Sequence, residues 1–353
     1  MPSNNNRPTQ YRRSALNGQR NITATQRRQN EALALRQRGM AYADIARRLG
    51  YAAAQGAAEA CRAASARNAN GAVAMVASNT QTSPVAQVNV GGVASNRTFG
   101  IEAEFFGIRP QVAIDALAAV GIACSFEGYS HRVMNTWKVV TDGSVNGTGT
   151  GQGGLELVSP ILQGEAGLAQ ASLAVSTLLA AGGRVDRTCG LHVHVGMNGL
   201  NGADIMKVLD LYAANQGHIN TIIARSRQTN SYCPPLNLAS GSRYNSYDAV
   251  RRATTVADIR AVTTNFHRYS VVNLTAYAKY GTIEFRQHQG TLNGEKVASW
   301  VKLLLALVEK ATTMPDASQD LGSLSSLMDT LPMDDETKAF LNRRAARLTG
   351  SRS

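Results

Sequence analysis

The chain has 353 residues, 44% of them hydrophobic and 17% charged, which suits a globular protein with room for one large domain and a small one. Its four cysteines (Cys61, Cys124, Cys189, Cys233) form no CxxC pair, and no apolar run is long enough to cross a membrane, so reduced thiols in a cytoplasmic protein are expected rather than a disulfide framework, a zinc knuckle or a membrane protein. Net charge is +12, and residues 1–67 hold +9 of it, with twelve Arg, no Lys and three acids; this points to a polyanionic partner at that end.

Residues 1–22 are Arg- and Asn-rich and read as a disordered basic arm. From Thr25 the pattern turns helical, with Ala32, Leu33, Leu35 and Met40 at helix spacing and a stop at Gly39. Tyr42–Leu49 is a short amphipathic helix with Ile45, Ala46 and Leu49 inward, and Gly50 supplies the turn into an Ala-rich helix running through Cys61 and Ala64. Residues 23–67 therefore resemble a helix-turn-helix, with Arg47, Arg48, Gln55 and Arg62 as candidate DNA contacts. A basic helical arm that docks protein or keeps the chain soluble is the competing reading, because the third helix has few base-reading side chains. Residues 68–95 are low-complexity and read as a linker.

The large domain is expected over 96–313, with strands and helices in alternation. Strands are predicted at Gly100–Phe106, Trp137–Thr141, Leu155–Val158 and Gly190–Gly196. Val271–Leu274 and Thr282–Arg286 are expected to form a hairpin-like pair. Helices are predicted at Val112–Val120, Ala166–Ala181, Ala203–Gln216, Asp258–Thr264 and Glu295–Thr312. Residues 314–353 form a polar tail with one or two helical turns.

Three of the strands carry polar residues two apart, and such residues share a face. Glu102 pairs with Glu104, and His192 with His194; Glu284, Arg286 and His288 are expected together. The intervening Ile101, Ala103, Phe105, Leu191, Val193, Val195, Ile283 and Phe285 are apolar and face the other way. Charged groups in core-like strands need partners or a metal. Glu102, Glu104, Glu156 and Glu284 converging would repel one another unless cations neutralise them, and carboxylate-rich sites suit Mg²⁺ or Mn²⁺. The His pair also fits zinc, but a guanidinium at Arg286 beside a metal ligand suits phosphate oxygens, which favours phosphoryl chemistry.

The ordered segments Thr98-Phe-Gly-Ile-Glu-Ala-Glu-Phe105, Trp137-Lys-Val-Val-Thr-Asp-Gly-Ser144, Gly154-Leu-Glu-Leu-Val-Ser-Pro-Ile-Leu162, Cys189-Gly-Leu-His-Val-His-Val-Gly196, Arg268-Tyr-Ser-Val-Val-Asn-Leu274 and Gly281-Thr-Ile-Glu-Phe-Arg-Gln-His-Gln-Gly290 resemble the amidoligase family, relatives of glutamine synthetase and glutamate-cysteine ligase. The likeness spans about residues 96–310 and includes Ala224–Leu236. It implies an α+β fold with a curved antiparallel sheet of glutamine-synthetase-like type and helices packed on one face, preceded by a small all-α module. It implies an ATP- and Mg²⁺-dependent carboxylate-amine ligase working through an acyl phosphate. Glu102, Glu104, Glu156, His192 and Glu284 would hold metal, while Arg286 and His194 would contact ATP and act in catalysis. Asp142 is a third catalytic candidate, for the incoming amine, or else a turn residue bonding its own backbone. Arg225, Arg227, Tyr232 and Asn273 are candidates for substrate binding.

The carboxylate and amine are left open: a peptide, a small amine, a cell-wall fragment or a modified base. Gly147–Gly154 lacks the Lys-Ser/Thr of a phosphate-binding loop and reads as a loop or lid. His131, His218 and His267 sit in no motif and read as surface or packing residues. Proteins of this kind also occur in phage genomes, which implies a bacterial or phage-infected cytoplasm. Two rival functions use the same residues: a metal-dependent hydrolase, and an inactive DNA-binding regulator.

Overall fold

In a computed structural model of the protein, residues 24–37, 40–57, 59–60, 88–90, 93–145, 153–236, 248–263 and 268–350 are described. The chain divides into two compact units, residues 1–81 and 82–353.

In the first unit, α1 (Ala24–Gln37) and α2 (Tyr42–Leu49) are followed by helical residues 54–57 and 59–60. Ala32 and Leu35 meet Ile45, Ala46, Ala57 and Ala60 in a small core, so the predicted inward face of α2 is the observed one. Gly50 ends α2 with φ +70°, and its amide donates to Ala46 O; that left-handed position favours glycine. The Arg28 guanidinium lies 4.1 Å from the Tyr51 ring centroid. The predicted stop at Gly39 and the end of the third helix lie outside the described residues.

The second unit begins with an antiparallel pair, β1 (Val88–Val90) and β2 (Val93–Ser95), inside the stretch read as linker. The main sheet then takes in β3 (Thr98–Phe105), β4 (Cys124–Phe126), β5 (Trp137–Asp142), β6 (Gly154–Val158), β7 (Leu162–Gln163), β8 (Gly190–Gly196), β9 (Val272–Asn273) and β10 (Thr282–Gln289). Its order is β4-β5-β6-β3-β8-β10-β9, with β7 beside β3.

An all-antiparallel sheet was expected, and one pair departs from it: β4 and β5 are parallel. Residues 127–136 make the return crossing without a helix, although parallel pairs usually cross through one. The expected hairpin-like pair does form, β9 running antiparallel beside β10, with a helix at Thr275–Tyr280 as its connection.

One face of the sheet is core. Phe99, Ile101, Ala103 and Phe105, then Leu155 and Leu157, Leu191, Val193 and Val195, and Ile283 and Phe285 are all buried in one cluster. Helices α3 (Pro110–Ala119), α4 (Gly164–Ala180), α5 (Gly202–Ala214) and α6 (Gly294–Thr313) include the predicted ones to within two residues at each end. Val297, Trp300, Val301, Leu304, Leu305 and Val308 of α6 are buried, and α6 packs on α4 and α5 behind β3 and β8.

Past α6, the predicted tail is a packed part of the unit rather than one or two turns. Helices Leu324–Thr330 and Asp335–Gly350 bury Leu327, Met328, Phe340 and Leu341 in the same core, and Arg344 Nε donates to Ile222 O. Among the described residues no helix is long and apolar enough to cross a membrane.

Candidate functional site

The opposite face of the same strands is polar, and register decides which residues meet there. Glu102 lies opposite His192 across β3 and β8, and Glu104 lies opposite Glu156 across β3 and β6. Glu284 lies opposite His194 on one side and Asn273 on the other. The five expected metal ligands thus converge from four strands.

They form two triads that share one ring. Ligand atoms of Glu102, His192 and Glu284 lie within 4.8 Å of one another, and so do those of Glu104, Glu156 and His192. His192 Nδ1 is 3.3 Å from Glu102 Oε2 and 3.6 Å from Glu284 Oε1, while its Nε2 is 3.6 Å from Glu104 Oε1. A neutral imidazole has one lone pair and one N–H. The ring can therefore ligate a cation in one triad while donating a hydrogen bond to a carboxylate of the other. Oxygen-rich donors with a single imidazole fit hard divalent cations.

Burial and mutual charge split the acids. Burial raises Glu102, yet hydrogen bonds from His192 and His194 outweigh it and hold the carboxyl well below the usual range. Burial likewise opposes ionisation of Glu284, and the Arg286 guanidinium overcomes it. Glu156 has no such cation: burial lifts it well above the usual range, and Glu102, Glu104, Asp142 and Glu284 lift it further. Four acids at this spacing are stable together only with a proton or a cation among them.

Arg286 donates to Glu284, as expected for two residues sharing a face. His288 does not join them. The β10–β8 register shifts between Phe285 and His288, a bulge that places His288 opposite Leu191 on the core side. There its ring lies 5.2 Å from that of Trp300, and Gln287 hydrogen-bonds Tyr212 and Asn220. Burial pushes His288 well below its usual value, so it is a neutral packing residue.

His194 Nδ1 meets Thr282 Oγ1 at 2.9 Å, and its Nε2 lies 3.5 Å from Glu102. Burial lowers its basicity, but Glu102 more than compensates and the net shift is upward. Asn273 stands behind Glu284, donating Nδ2 to Oε2 at 2.6 Å, while its Oδ1 accepts from Thr275. It therefore orients a carboxylate from the rear. Asp142 Oδ1 accepts from the Ser144 amide and hydroxyl, the geometry of its turn reading. Arg225 is exposed, Tyr232 is exposed and edge-on to Tyr269, and Arg227 is buried.

In the first unit Arg47 pairs with Asp44 on an exposed surface, Arg48 is exposed, and Gln55 donates to Glu59. Arg62 and most of the glycine-rich loop, residues 146–152, lie outside the described residues, as does His267.

Beside the first triad opens a cavity of about 450 Å³, bordered by Glu102, Glu156 and His194. Its far wall is the irregular 127–136 crossing, with His131, Arg132, Val133 and Met134, and its rim includes Lys279 and Tyr280. Lys138, buried on β5, donates to Ser130 O at 2.9 Å and to Arg132 O at 2.7 Å, tying that wall to the sheet. Neither Lys138 nor the crossing is among the site candidates named from the sequence; His131, expected as a surface or packing residue, is exposed and borders the cavity. Lys138 carried the same signal as Glu102, a charge alternating with the buried Trp137 and Val139. The crossing itself had no periodicity to read.

A family model described as "putative amidoligase enzyme" matches residues 95–308, more than half of the chain, and the chain belongs to that family. A search of curated proteins finds no match.

Proposed function

We propose that this amidoligase-family chain is an ATP- and Mg²⁺-dependent carboxylate-amine ligase of glutamine-synthetase-like type that forms an amide bond through an acyl phosphate. The observation that carries the reading is the pair of triads sharing His192, with Arg286 against one of them. Glu102 and Glu284 would hold one cation and Glu104 and Glu156 a second, with His192 ligating in one triad while its other nitrogen donates to a carboxylate of the other; Mn²⁺ would suit the same donors. A divalent cation bound there supplies charge neutralisation between phosphate oxygens.

The cavity beside the first triad takes the nucleotide. Its volume is in the range of small-molecule sites. Tyr280, Val133 and Ile161 offer apolar surface, and Arg132, Lys138 and Lys279 offer positive charge. His194, oriented by Thr282 and close to Glu102, lines that cavity beside it and would contact the phosphates. The substrate carboxylate attacks the γ-phosphorus, ADP leaves, and the amine nitrogen then displaces phosphate from the acyl carbon. Arg286 stabilises charge on the transferred phosphoryl, the type of interaction that dominates such chemistry. Asp142, near Glu156, marks the amine end.

The test is a screen of carboxylate and amine pairs with purified full-length protein, ATP and Mg²⁺, reading ADP and phosphate release. Pair-dependent release is expected. Hydrolysis indifferent to ATP and dependent on zinc would instead identify a metallohydrolase, and inert protein that still binds DNA would identify a regulator.

The basic N-terminal unit we assign to nucleic acid, supported by its Arg density and the exposed Arg48. Phosphate contacts predict binding that weakens steeply with salt. Binding that is absent at low salt, or unmoved by an Arg47→Ala/Arg48→Ala double substitution, would remove that assignment.

A further inference from the structure

Arg227 is a buried cation of the second unit with no carboxylate partner among the described residues. Only 2% of its surface is exposed. Among the described residues its guanidinium makes one hydrogen bond, from Nη2 to the backbone oxygen of Arg286 at 2.6 Å, and its Nε has no acceptor. No carboxylate among them comes within ion-pairing distance, unlike Arg286, which holds Glu284. A buried charge without a counter-charge is costly, so its persistence calls for an anion that arrives from outside.

The position of the guanidinium says where that anion sits. A Cβ built on Gly190 would lie 2.9 Å from His192 Nε2 and 3.0 Å from Arg227 Nη2. The missing side chain therefore lets the guanidinium and the ring edge nearest Glu104 converge on the Gly190 backbone, a cradle too tight for a Cβ. The floor is fixed, because the Gly190 amide donates to Glu104 Oε2 at 2.6 Å. This cradle adjoins the Glu104–Glu156–His192 triad, whereas the nucleotide cavity is lined by Glu102, Glu156 and His194 but by neither Glu104 nor His192.

The wall is also held in place. Arg286 N donates to Val271 O, but the Val271 amide turns to Pro234 O, so the Arg286 backbone oxygen has no ladder donor and Arg227 takes it up. The Ala224 and Gln228 amides pin the turn carrying Arg227, through Gln289 Oε1 and Arg225 O.

We propose that Arg227, with the Gly190 cradle and the second triad, is the seat of the acyl-donating substrate's carboxylate. The forked guanidinium matches the two carboxylate oxygens in one plane. The proposal rests on the ligase reading for the identity of the anion, but not for its existence. Inorganic phosphate shares this oxyanion chemistry as the released product.

The test is equilibrium binding to full-length protein with Mg²⁺ at fixed ionic strength, using acetate, succinate and L-glutamate in one arm and inorganic phosphate in the other. A carboxylate should bind the parent protein with Arg227→Met weakening it about tenfold or more, a loss expected for one charge-assisted bidentate contact. Arg227→Lys should recover only part. Mg²⁺ affinity should stay unchanged in both, which a general loss of structure would not allow. Gly190→Ala gives a second reading: its Cβ would press on Arg227 Nη2 and His192 Nε2, so anion binding should fall there as it does in Arg227→Met.

Carboxylate affinity unchanged in Arg227→Met would overturn the proposal, and so would an effect confined to the phosphate arm. Parallel loss of Mg²⁺ and anion binding in both Arg227→Met and Gly190→Ala would show a purely structural role and also overturn it. Failure of the ligase reading appears elsewhere, as absence of any ATP-dependent product despite intact carboxylate binding.

Discussion

Glu156→Gln probes the site at its most strained carboxylate. Burial, then Glu102, Glu104, Asp142 and Glu284, raise the Glu156 carboxyl well above its usual range. A group raised on folding favours the folded state below the ordinary carboxylate range, and that contribution is lost as pH rises through the raised value. Each pKa unit corresponds to about 1.4 kcal/mol. Glutamine keeps the shape without the charge, so the metal-free variant should melt at or above the parent at neutral pH. The parent should gain from divalent ions by mass action, about 2.7 kcal/mol at a hundredfold excess over Kd. For a unit of this size that is roughly 5–10 °C in melting temperature, and the variant should lose most of it. Thermal melts in EDTA and in Mg²⁺ or Mn²⁺ read both quantities. A variant that melts well below the parent in EDTA yet keeps the full metal-induced gain would show that Glu156 is a packing residue, and the two-triad site would fall.

Arg286→Lys keeps the charge and loses the fork; ATP turnover should drop by about 100-fold while the metal-induced melting gain remains, and near-normal ADP release would sink the phosphoryl role. Metal affinity should weaken as pH falls, because the cation must displace the proton that Glu156 retains above its usual range. Calorimetry in buffers of different ionisation heat should detect that proton, and binding without release would contradict it. His288→Phe should preserve metal binding, since the ring packs on Trp300 behind the sheet; the lost hydrogen bond to Gln289 O should cost about 1 kcal/mol. A variant that no longer responds to Mg²⁺ would put His288 back in the site.

Most of the site could be read because alternation in β3 and β8 is strict. Every apolar residue between the acids and imidazoles of those strands is in the core. In β10 the same rule fails after Phe285, and the warning was present: Arg286, Gln287, His288 and Gln289 are polar at both parities. A run without alternation cannot assign faces, and a bulge resolved it by sending Gln287 and His288 to the helices. The C-terminal helices also left a trace, with Leu324, Leu327, Met328 and Leu331 at helical spacing. What could not be read was the parallel β4–β5 pair and the 127–136 crossing, since a non-periodic segment takes its path from tertiary packing alone.

The bulge explains how one strand serves two demands. A strict β10 would place Arg286 and His288 on the polar face and bury Gln287 alone among apolar side chains. With the bulge, Gln287 reaches Tyr212 and Asn220, His288 reaches Trp300, and Arg286 stays with Glu284. Beside it, the Val271 amide donates to Pro234 O rather than to Arg286 O, and the buried Arg227 satisfies that carbonyl. Core and site are thus coupled through a single irregularity, whereas along β3 and β8 they are separated by alternation. Substitutions on β3 and β8 should therefore divide cleanly between stability and metal binding. Substitutions around residues 285–288 should not, because moving the bulge moves Arg286, the guanidinium that pairs with Glu284 of the first triad.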